Sequence, residues 1–490
     1  MKKIALSLAL IGALGFGATA ANAADIKASG SWQIEGDLTN TASMQNWTKN
    51  NNFSVEQRIR TAFQFIANEN LKGVLETQIG TNNWGNGEYQ ISAGRTPSTS
   101  ATGSNSAGAG NILLRKAYLD FNIPNTKVKV LAGYQSIALP SAFGGGSAIL
   151  DDHMAGIAAV VPITDGISVV AGYARPYDAN TAGATASQQY AGTAIDAGLL
   201  YANIDMAGFS VKPFVAYSAI GTGSVTAAQA GLTAATSDVP NLGGLIAPGA
   251  LPNGARAYWG GAAFTMTALD PFKVMADFNY GKETFNNAAV GNSGRSGWLG
   301  DIAIDYTGLS MMTPELFFAY SSGENGDANK SERMPVVSGE NWAYGSFWMQ
   351  GGDNVGYQGQ YTSPSSNLGF WALGLSLKDV KLIDKLSHTV NFIYFKGTND
   401  SSVAGQLWNN NNLVNGSKNT FGSVLTDKDH LFEVDLNSKY QLYDALSLGL
   451  ELSYINADFD KDVWSKATGI GSGYLSKDAY KAALIMNYSF

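Results

Sequence analysis

The chain has no cysteine among its 490 residues. For an exported protein this excludes a disulfide framework, and it also excludes thiol chemistry and any Cys-ligated metal. Histidine is nearly as scarce. His153, His388 and His430 are far apart, and the sequence contains neither a His-x-x-x-His pair nor a Gly-x-Ser-x-Gly elbow. Zinc-dependent and serine-hydrolase chemistry therefore has no signature here, and no enzymatic activity is expected. Charged residues are only 14% of the chain, while 57 residues are glycine. After the first 23 residues no apolar run approaches the roughly 18 residues of a membrane helix. The longest, Met154 to Ile163, falls well short. Any membrane crossing must then be made by strands.

The first 23 residues have a different character. Lys2 and Lys3 form a positive start, Ile4 to Gly17 an apolar stretch, and Ala21-Asn22-Ala23 a small-x-small cleavage pattern. Together they predict a secretory signal peptide over 1–23, leaving 24–490 as one domain. Without Lys2 and Lys3, 29 basic residues face 39 acidic ones, a net charge of −10. Nucleic acid is not an expected partner.

The carboxyl end carries the clearest pattern. Tyr480, Ala482, Leu484, Met486, Tyr488 and Phe490 alternate with Lys481, Ala483, Ile485, Asn487 and Ser489. Strand side chains point to opposite faces with period two, so the first set forms a wholly apolar face with aromatics at both ends. Near the start, Ala28, Gly30, Trp32, Ile34, Gly36 and Leu38 alternate with Lys27, Ser29, Ser31, Gln33, Glu35 and Asp37. At 100° per residue a helix would scatter either set around its circumference.

The same reading along the chain predicts eighteen strands: 26–38, 53–67, 71–80, 112–122, 127–136, 153–161, 167–175, 192–202, 209–220, 257–266, 272–281, 297–306, 314–322, 368–377, 388–396, 430–440, 446–456 and 478–490. Short turns such as Asn68-Glu69-Asn70, Pro124-Asn125, Asp165-Gly166 and Asp270-Pro271 alternate with long polar stretches such as 221–256, 323–367 and 397–429. Such asymmetry, with an even strand number, predicts an all-β transmembrane antiparallel barrel of the Gram-negative outer membrane. Sixteen strands is the alternative count if 153–161 or 368–377 is misread together with a partner. Seven strands running toward the long loops end in tyrosine: Tyr134, Tyr173, Tyr217, Tyr280, Tyr320, Tyr394 and Tyr454. That recurrence reads as an aromatic girdle between lipid and water.

Candidate lumen groups follow from parity. Glu56, Arg58, Arg60 and Gln64 share one face of the second strand, opposite Val55, Ile59, Phe63 and Phe65. An arginine facing lipid at the midplane costs about 2–4 kcal/mol, so Arg58 and Arg60 must face water. Lys72, Lys116, Lys127 and Lys129 obey the same parity.

Between the fifth and sixth strands, Leu139-Pro140-Ser141-Ala142-Phe143-Gly144-Gly145-Gly146 and then Asp151-Asp152 resemble the third loop of the general trimeric porins. Leu114-Arg115-Lys116-Ala117-Tyr118-Leu119 and Leu131-Ala132-Gly133-Tyr134-Gln135 look like the family strands that precede that loop. The carboxyl-terminal Phe490, with Tyr488, resembles the family's sorting signal. Length, loop pattern and this end look most like the homotrimeric major porins of sulfate-reducing bacteria.

The resemblance implies a loop folded into the barrel as a size filter, carrying Pro140, Phe143, Gly144, Gly145, Gly146, Asp151 and Asp152. It also implies a homotrimer in which stretch 81–111 reaches over the neighbouring subunit, and handling by periplasmic chaperones and the barrel-assembly machinery, while strand parity supplies the wall: Glu56, Arg58, Arg60, Lys72 and Lys116. The expected function is a water-filled channel for passive diffusion of ions and small hydrophilic solutes, needing no cofactor and no metal. Two rivals stand beside it. Trp342, Tyr344, Phe347 and Trp348 crowd the loop 323–367 and could stack sugars in a substrate-selective porin, or the chain could be a structural or adhesive barrel. Ca²⁺ could be held by Asp151 and Asp152 or by Asp458, Asp460 and Asp462 through oxygen ligands.

Overall fold

The computed structural model describes residues 25–40, 44, 51–85, 112–178, 194–220, 255–285, 294–326, 330–337, 344–349, 369–405, 407, 424–469 and 471–490. The signal segment 1–23, Trp342 and most of 81–111 lie outside them.

Strand-forming alternation dominates the chain. The first strands are β1 (Asp25–Asn40), β2 (Asn51–Asn68), β3 (Leu71–Asn83), β4 (Ile112–Asn122), β5 (Lys129–Ala138) and β6 (Asp151–Thr164). There follow β7 (Ile167–Asp178), β8 (Ala194–Met206), β9 (Phe209–Ile220), β10 (Ala255–Leu269), β11 (Phe272–Phe285), β12 (Gly294–Tyr306) and β13 (Thr313–Ser321). After the two-residue β14 (Lys330–Ser331) come β15 (Phe370–Ile383), β16 (Leu386–Gly397), β17 (His430–Tyr443), β18 (Leu446–Asp458) and β19 (Ala479–Ser489). β14 only pairs in parallel with the start of β12 and does not take a place in the wall. The wall therefore has eighteen strands, each an antiparallel neighbour of the next, and β1 pairs with both β2 and β19. The sheet is closed; sixteen strands is excluded.

Closure is sealed at the chain end. Phe490 and Gly30 exchange backbone hydrogen bonds of 2.8 and 3.0 Å. A Cβ on Gly30 would sit 2.7 Å from the Phe490 ring, so only glycine lets the ring lie on this strand. Tyr488 and Phe490 stack at 5.7 Å.

The two faces differ as alternation dictates. Trp32, Leu119, Ile157, Leu200, Val215, Phe278, Ile302, Leu316, Leu373, Leu452 and Leu484 are exposed around the whole circumference, whereas Gln33, Glu35, Asp37, Asp277, Asp301, Glu433, Asp435 and Lys481 are buried inside it. Soluble proteins do not carry an apolar belt of this extent. Against lipid it is stable, and closure leaves no unpaired strand edge in hydrocarbon. Among the described residues no helix is long and apolar enough to cross a membrane. The chain crosses with its strands, as barrels of the Gram-negative outer membrane do.

Aromatics ring the end that carries the long loops. Tyr173, Tyr217, Tyr280 and Tyr454 are exposed on the outer face. Tyr217 pairs with Tyr258 at 5.1 Å, Tyr320 with Trp298 at 4.5 Å and Tyr394 with Trp371 at 5.4 Å. The Tyr173 and Tyr454 hydroxyls donate to Asp196 and Asp478, so each ring lies on the belt while its tip meets a polar group.

Candidate functional site: a lumen crossed by two loops

The loop after β5 enters the barrel. Its base is closed by a Leu139 N–H to Leu150 carbonyl bond of 2.9 Å. Ala148, Ile149 and Leu150 pack into one apolar cluster with inward-facing Met154, Ala174, Leu199, Phe214, Ala257 and Trp259 on the β6 to β10 side. An apolar inner wall would be costly against water, and this loop covers it. The loop tip then reaches the wall at β11. The Ala142 and Phe143 N–H groups donate to the Asp277 carboxylate at 2.9 Å, and Ser141 Oγ donates to the same group at 3.1 Å. Gly144 and Gly145 take φ of 81° and 91°, the left-handed conformations that turn the tip back.

A second loop, between β13 and β15, enters from the other side. Its segment 344–349 is held by wall carboxylates in the same manner. Glu433 accepts the Phe347 and Trp348 N–H groups at 3.0 Å each, Asp435 accepts Ser346 N–H at 3.0 Å, and the Tyr344 hydroxyl donates to Asp301 at 3.1 Å. Lys481, almost wholly buried, donates to the Ser346 carbonyl and pairs with Glu451 at 2.7 Å. Burial, and then the Asp301 charge, hold the Tyr344 phenol well above its ordinary pKa. Earlier in this loop the Val337 N–H donates to the Ile149 carbonyl at 2.9 Å, and the Trp259 indole N–H to the Pro335 carbonyl at 2.6 Å. Arg333 sits 3.9 Å from Glu324 in the same segment, and burial lowers its pKa to about 10. The two loops touch where Phe143 stacks on Tyr344 at 5.4 Å and meets Phe317 at 5.5 Å.

The opposite sector of the lumen is lined by cations. Arg58 donates to Gln33 at 2.8 Å and Arg60 to Gln78 at 2.8 Å. Lys116 and Arg115 each pair with Glu76 at 2.8 Å, and Lys72 pairs with Asp120 at 3.4 Å. The side chains of Arg115 and Lys116 are 22% and 26% exposed, against 0% for Glu433 and Asp435 across the barrel. Glu56 is half-buried on the same strand as Arg58 and Arg60. Sequence parity missed Arg115. A bulge between Glu76 and Thr77 in the β3–β4 ladder turns it inward beside Lys116.

Several sequence expectations need correcting. Asp151 and Asp152 are not loop residues but the first residues of β6, opposite Ala138 and Ile137 of β5. An extended ladder forms there because residues 136–138 and 151–153 both continue the strand geometry. Asp152 accepts the His153 N–H at 2.6 Å and lies 3.7 Å from its ring. The inward acids that meet the inserted loops are instead Asp277, Asp301, Glu433 and Asp435.

Tyr344, Phe347 and Trp348 are 3%, 4% and 2% exposed, with Trp348 packed against Phe370 and Phe395. Their ring faces are spent on packing and cannot stack a sugar. Asp460 caps the helix Lys461–Thr468, accepting the Asp462 and Val463 N–H groups. Asp458 lies 3.5 Å from His430 instead of beside Asp460. Among the described residues no group of three or more His, Asp or Glu could hold a metal ion.

No protein-family model matches the chain, and no curated protein does. Among solved structures it is similar to the outer membrane protein OprD of Pseudomonas aeruginosa, at 13% identity over 94% of each chain with a TM-score of 0.48. It is similar to OccK8 (OprE) of the same organism at 9% identity over 95% and 98% of the two chains, with a TM-score of 0.48. The outer membrane channel DcaP of Acinetobacter baumannii gives 11% identity over 95% and 97%, with a TM-score of 0.42. At these identities and scores the likeness says nothing of solutes or of residues.

Proposed function

We propose that the chain is an outer-membrane channel through which ions and small hydrophilic solutes diffuse passively, narrowed by the loops 139–150 and 344–349. One observation carries this reading. A polar lumen keeps a sector of partly exposed cations, Arg58, Arg60, Arg115 and Lys116, apart from a sector whose acids are covered by loops. A barrel with a purely structural role has no use for partly solvated guanidinium groups inside its wall. The uncovered passage runs along β2 to β4, and the transverse field there orients dipolar solutes. Pro140, Phe143 and Gly144 to Gly146 set its width from the loop side. Glu56, Arg58, Arg60, Lys72 and Lys116 set its charge from the wall.

The proposal extends to assembly. The β4–β5 ladder runs only from Ala117–Tyr134 to Asn122–Lys129, so among the described residues 112–116 has no strand beside it on that side. Ile112, Leu113 and Leu114 are 63%, 56% and 51% exposed there. This exposed apolar edge, suited to cover by a neighbouring subunit, is the support for a homotrimer. Phe490, seated on Gly30 at the closing seam, is the assembly signal under this reading. The ends of the chain and the short turns then face the periplasm.

Planar-bilayer recording of the refolded protein tests the function. Stepwise, ohmic conductance in potassium chloride is expected; a protein that is folded and inserted yet never conducts refutes the channel reading.

A further inference from the structure

The end of the barrel with the short turns holds a feature that the narrowing of the lumen does not use. A recess of 490 Å³ lies between the β15–β16 turn and β17, lined by Lys381, Lys385, Lys439, Ser387 and Gln441, with Leu382, Ile383 and Leu386 on its apolar side. By strand parity Lys439 belongs to the lumen face, in line with Glu433, Asp435 and Asn437 of the same strand. Lys381, Lys385 and Lys439 are exposed, and among the described residues none of them forms a salt bridge. Lys378, three residues before Lys381, is in contrast bound to Asp305 and Glu315 at 2.7 Å each. Among the described residues of the lining Asp384 is the one acid, which leaves an excess of two positive charges.

The backbone beneath is fixed. The Lys381 N–H donates to the Met311 carbonyl and the Gln441 N–H to the Lys385 carbonyl, each at 2.9 Å. The Gln441 amide is held by the Tyr443 and Asp444 carbonyls at 2.6 and 3.3 Å.

Three like charges converging on one recess repel one another, and their arrangement is relieved by an anion carrying more than one negative charge. Higher in the barrel Glu433 and Asp435 on β17 are covered by the segment 344–349, and Glu451 on β18 is paired with Lys481. An anion entering from the short-turn end is therefore drawn to the lysines at this mouth and held beneath the loop-covered sector.

We infer that this mouth is a binding site for a small polyvalent oxyanion, a free phosphate or the phosphate or paired carboxylates of a solute, and that its occupation blocks the channel from the periplasmic end only. The inference rests on the channel reading. Ser387 and the lysine ammonium groups supply the donors such an anion needs. The site favours solutes without clustered negative charge in outward flow and gives the channel an asymmetric response to anions.

The test adds inorganic phosphate, in turn, to each side of single channels inserted in one orientation, in bilayers of zwitterionic lipid at low chloride. Concentration-dependent block is expected from the short-turn side alone. It should weaken several-fold in the K381Q/K385Q/K439Q triple variant, whose conductance without phosphate stays within a factor of two. These lysines are exposed, so the variant keeps its fold. Channels that conduct but are blocked equally from both sides, or not at all, overturn the site. Block that is unchanged in the triple variant does so as well. Block that appears only when anionic lipid is added assigns the recess to a lipid headgroup and overturns the solute-anion reading. Absence of any current strikes the channel reading instead.

Discussion

Two halves of one lumen are built from the same alternating strands and end up with opposite characters. On the β11 to β19 side the inward carboxylates of Asp277, Asp301, Glu433 and Asp435 are buried, and each accepts a donor from an inserted loop. On the β2 to β4 side the cations Arg58, Arg60, Arg115 and Lys116 keep part of their surface exposed, and Gln33, Gln78 and Glu76 of the wall are among their partners. Carboxylates are acceptors only, so they can bind main-chain N–H groups of a loop. Guanidinium and ammonium groups are donors only and cannot. On the acidic side these main-chain bonds, together with the Lys481 bond to the Ser346 carbonyl, hold the loops against the wall, while the basic side stays partly exposed.

Removing a loop should have the largest effect on that contrast. Deleting 141–148 takes away the tip that bonds to Asp277, and single-channel conductance should rise about twofold or more, since eighteen strands enclose a wide channel when unfilled. Larger sugars should then pass in liposome-swelling assays. Unchanged conductance would place the narrowing elsewhere.

A smaller effect is expected from untying the second loop. Glu433→Ala with Asp435→Ala removes three main-chain anchors, each a charge-assisted hydrogen bond of about 1.5–3 kcal/mol. Channel noise and a conductance rise short of the deletion's are expected, with aromatic fluorescence reporting exposure of Trp348. A quiet, unchanged channel would mean that the aromatic contacts hold the loop alone.

The strand pattern was legible in the sequence because one residue in two must face lipid. All eighteen expected segments coincide with wall strands, and 112–122 and 209–220 match to the residue. What failed was parity past irregularities. The end of β15 passes register shifts between Leu377 and Val380 and between Val380 and Ile383, and it was missed beyond 377. Likewise the β3–β4 bulge hid Arg115.

The first inserted loop was read from its local residues Pro140 to Gly146. The second could not be, because its anchors lie 85 to 89 residues away in Glu433 and Asp435 and leave no spacing signal. Its one trace is Tyr344, Phe347 and Trp348, too apolar for a solvated loop, which fits burial as readily as sugar binding until the structure places them.

Charge on the open side should give a more modest change. Arg58→Ala with Arg60→Ala should shift the reversal potential in a salt gradient toward cations, on the order of 10 mV at low salt and less as screening rises. No shift would take both arginines out of the passage. The smallest effect on the pore itself belongs to Phe490→Ser, which should lower the amount of assembled barrel while leaving the conductance of each assembled channel unchanged. Normal surface levels would remove the sorting role from Phe490.

The absence of native cysteine makes the contrast between the two sides directly measurable. Arg60→Cys lies on the open side, and Ala372→Cys replaces a lumen-facing residue with no exposed surface on the covered side. During bilayer recording, a water-soluble thiol reagent should modify Arg60→Cys within seconds, with a stepwise fall in current, and should modify Ala372→Cys orders of magnitude more slowly. Equal rates at the two positions would contradict a lumen that is open on one side and loop-covered on the other.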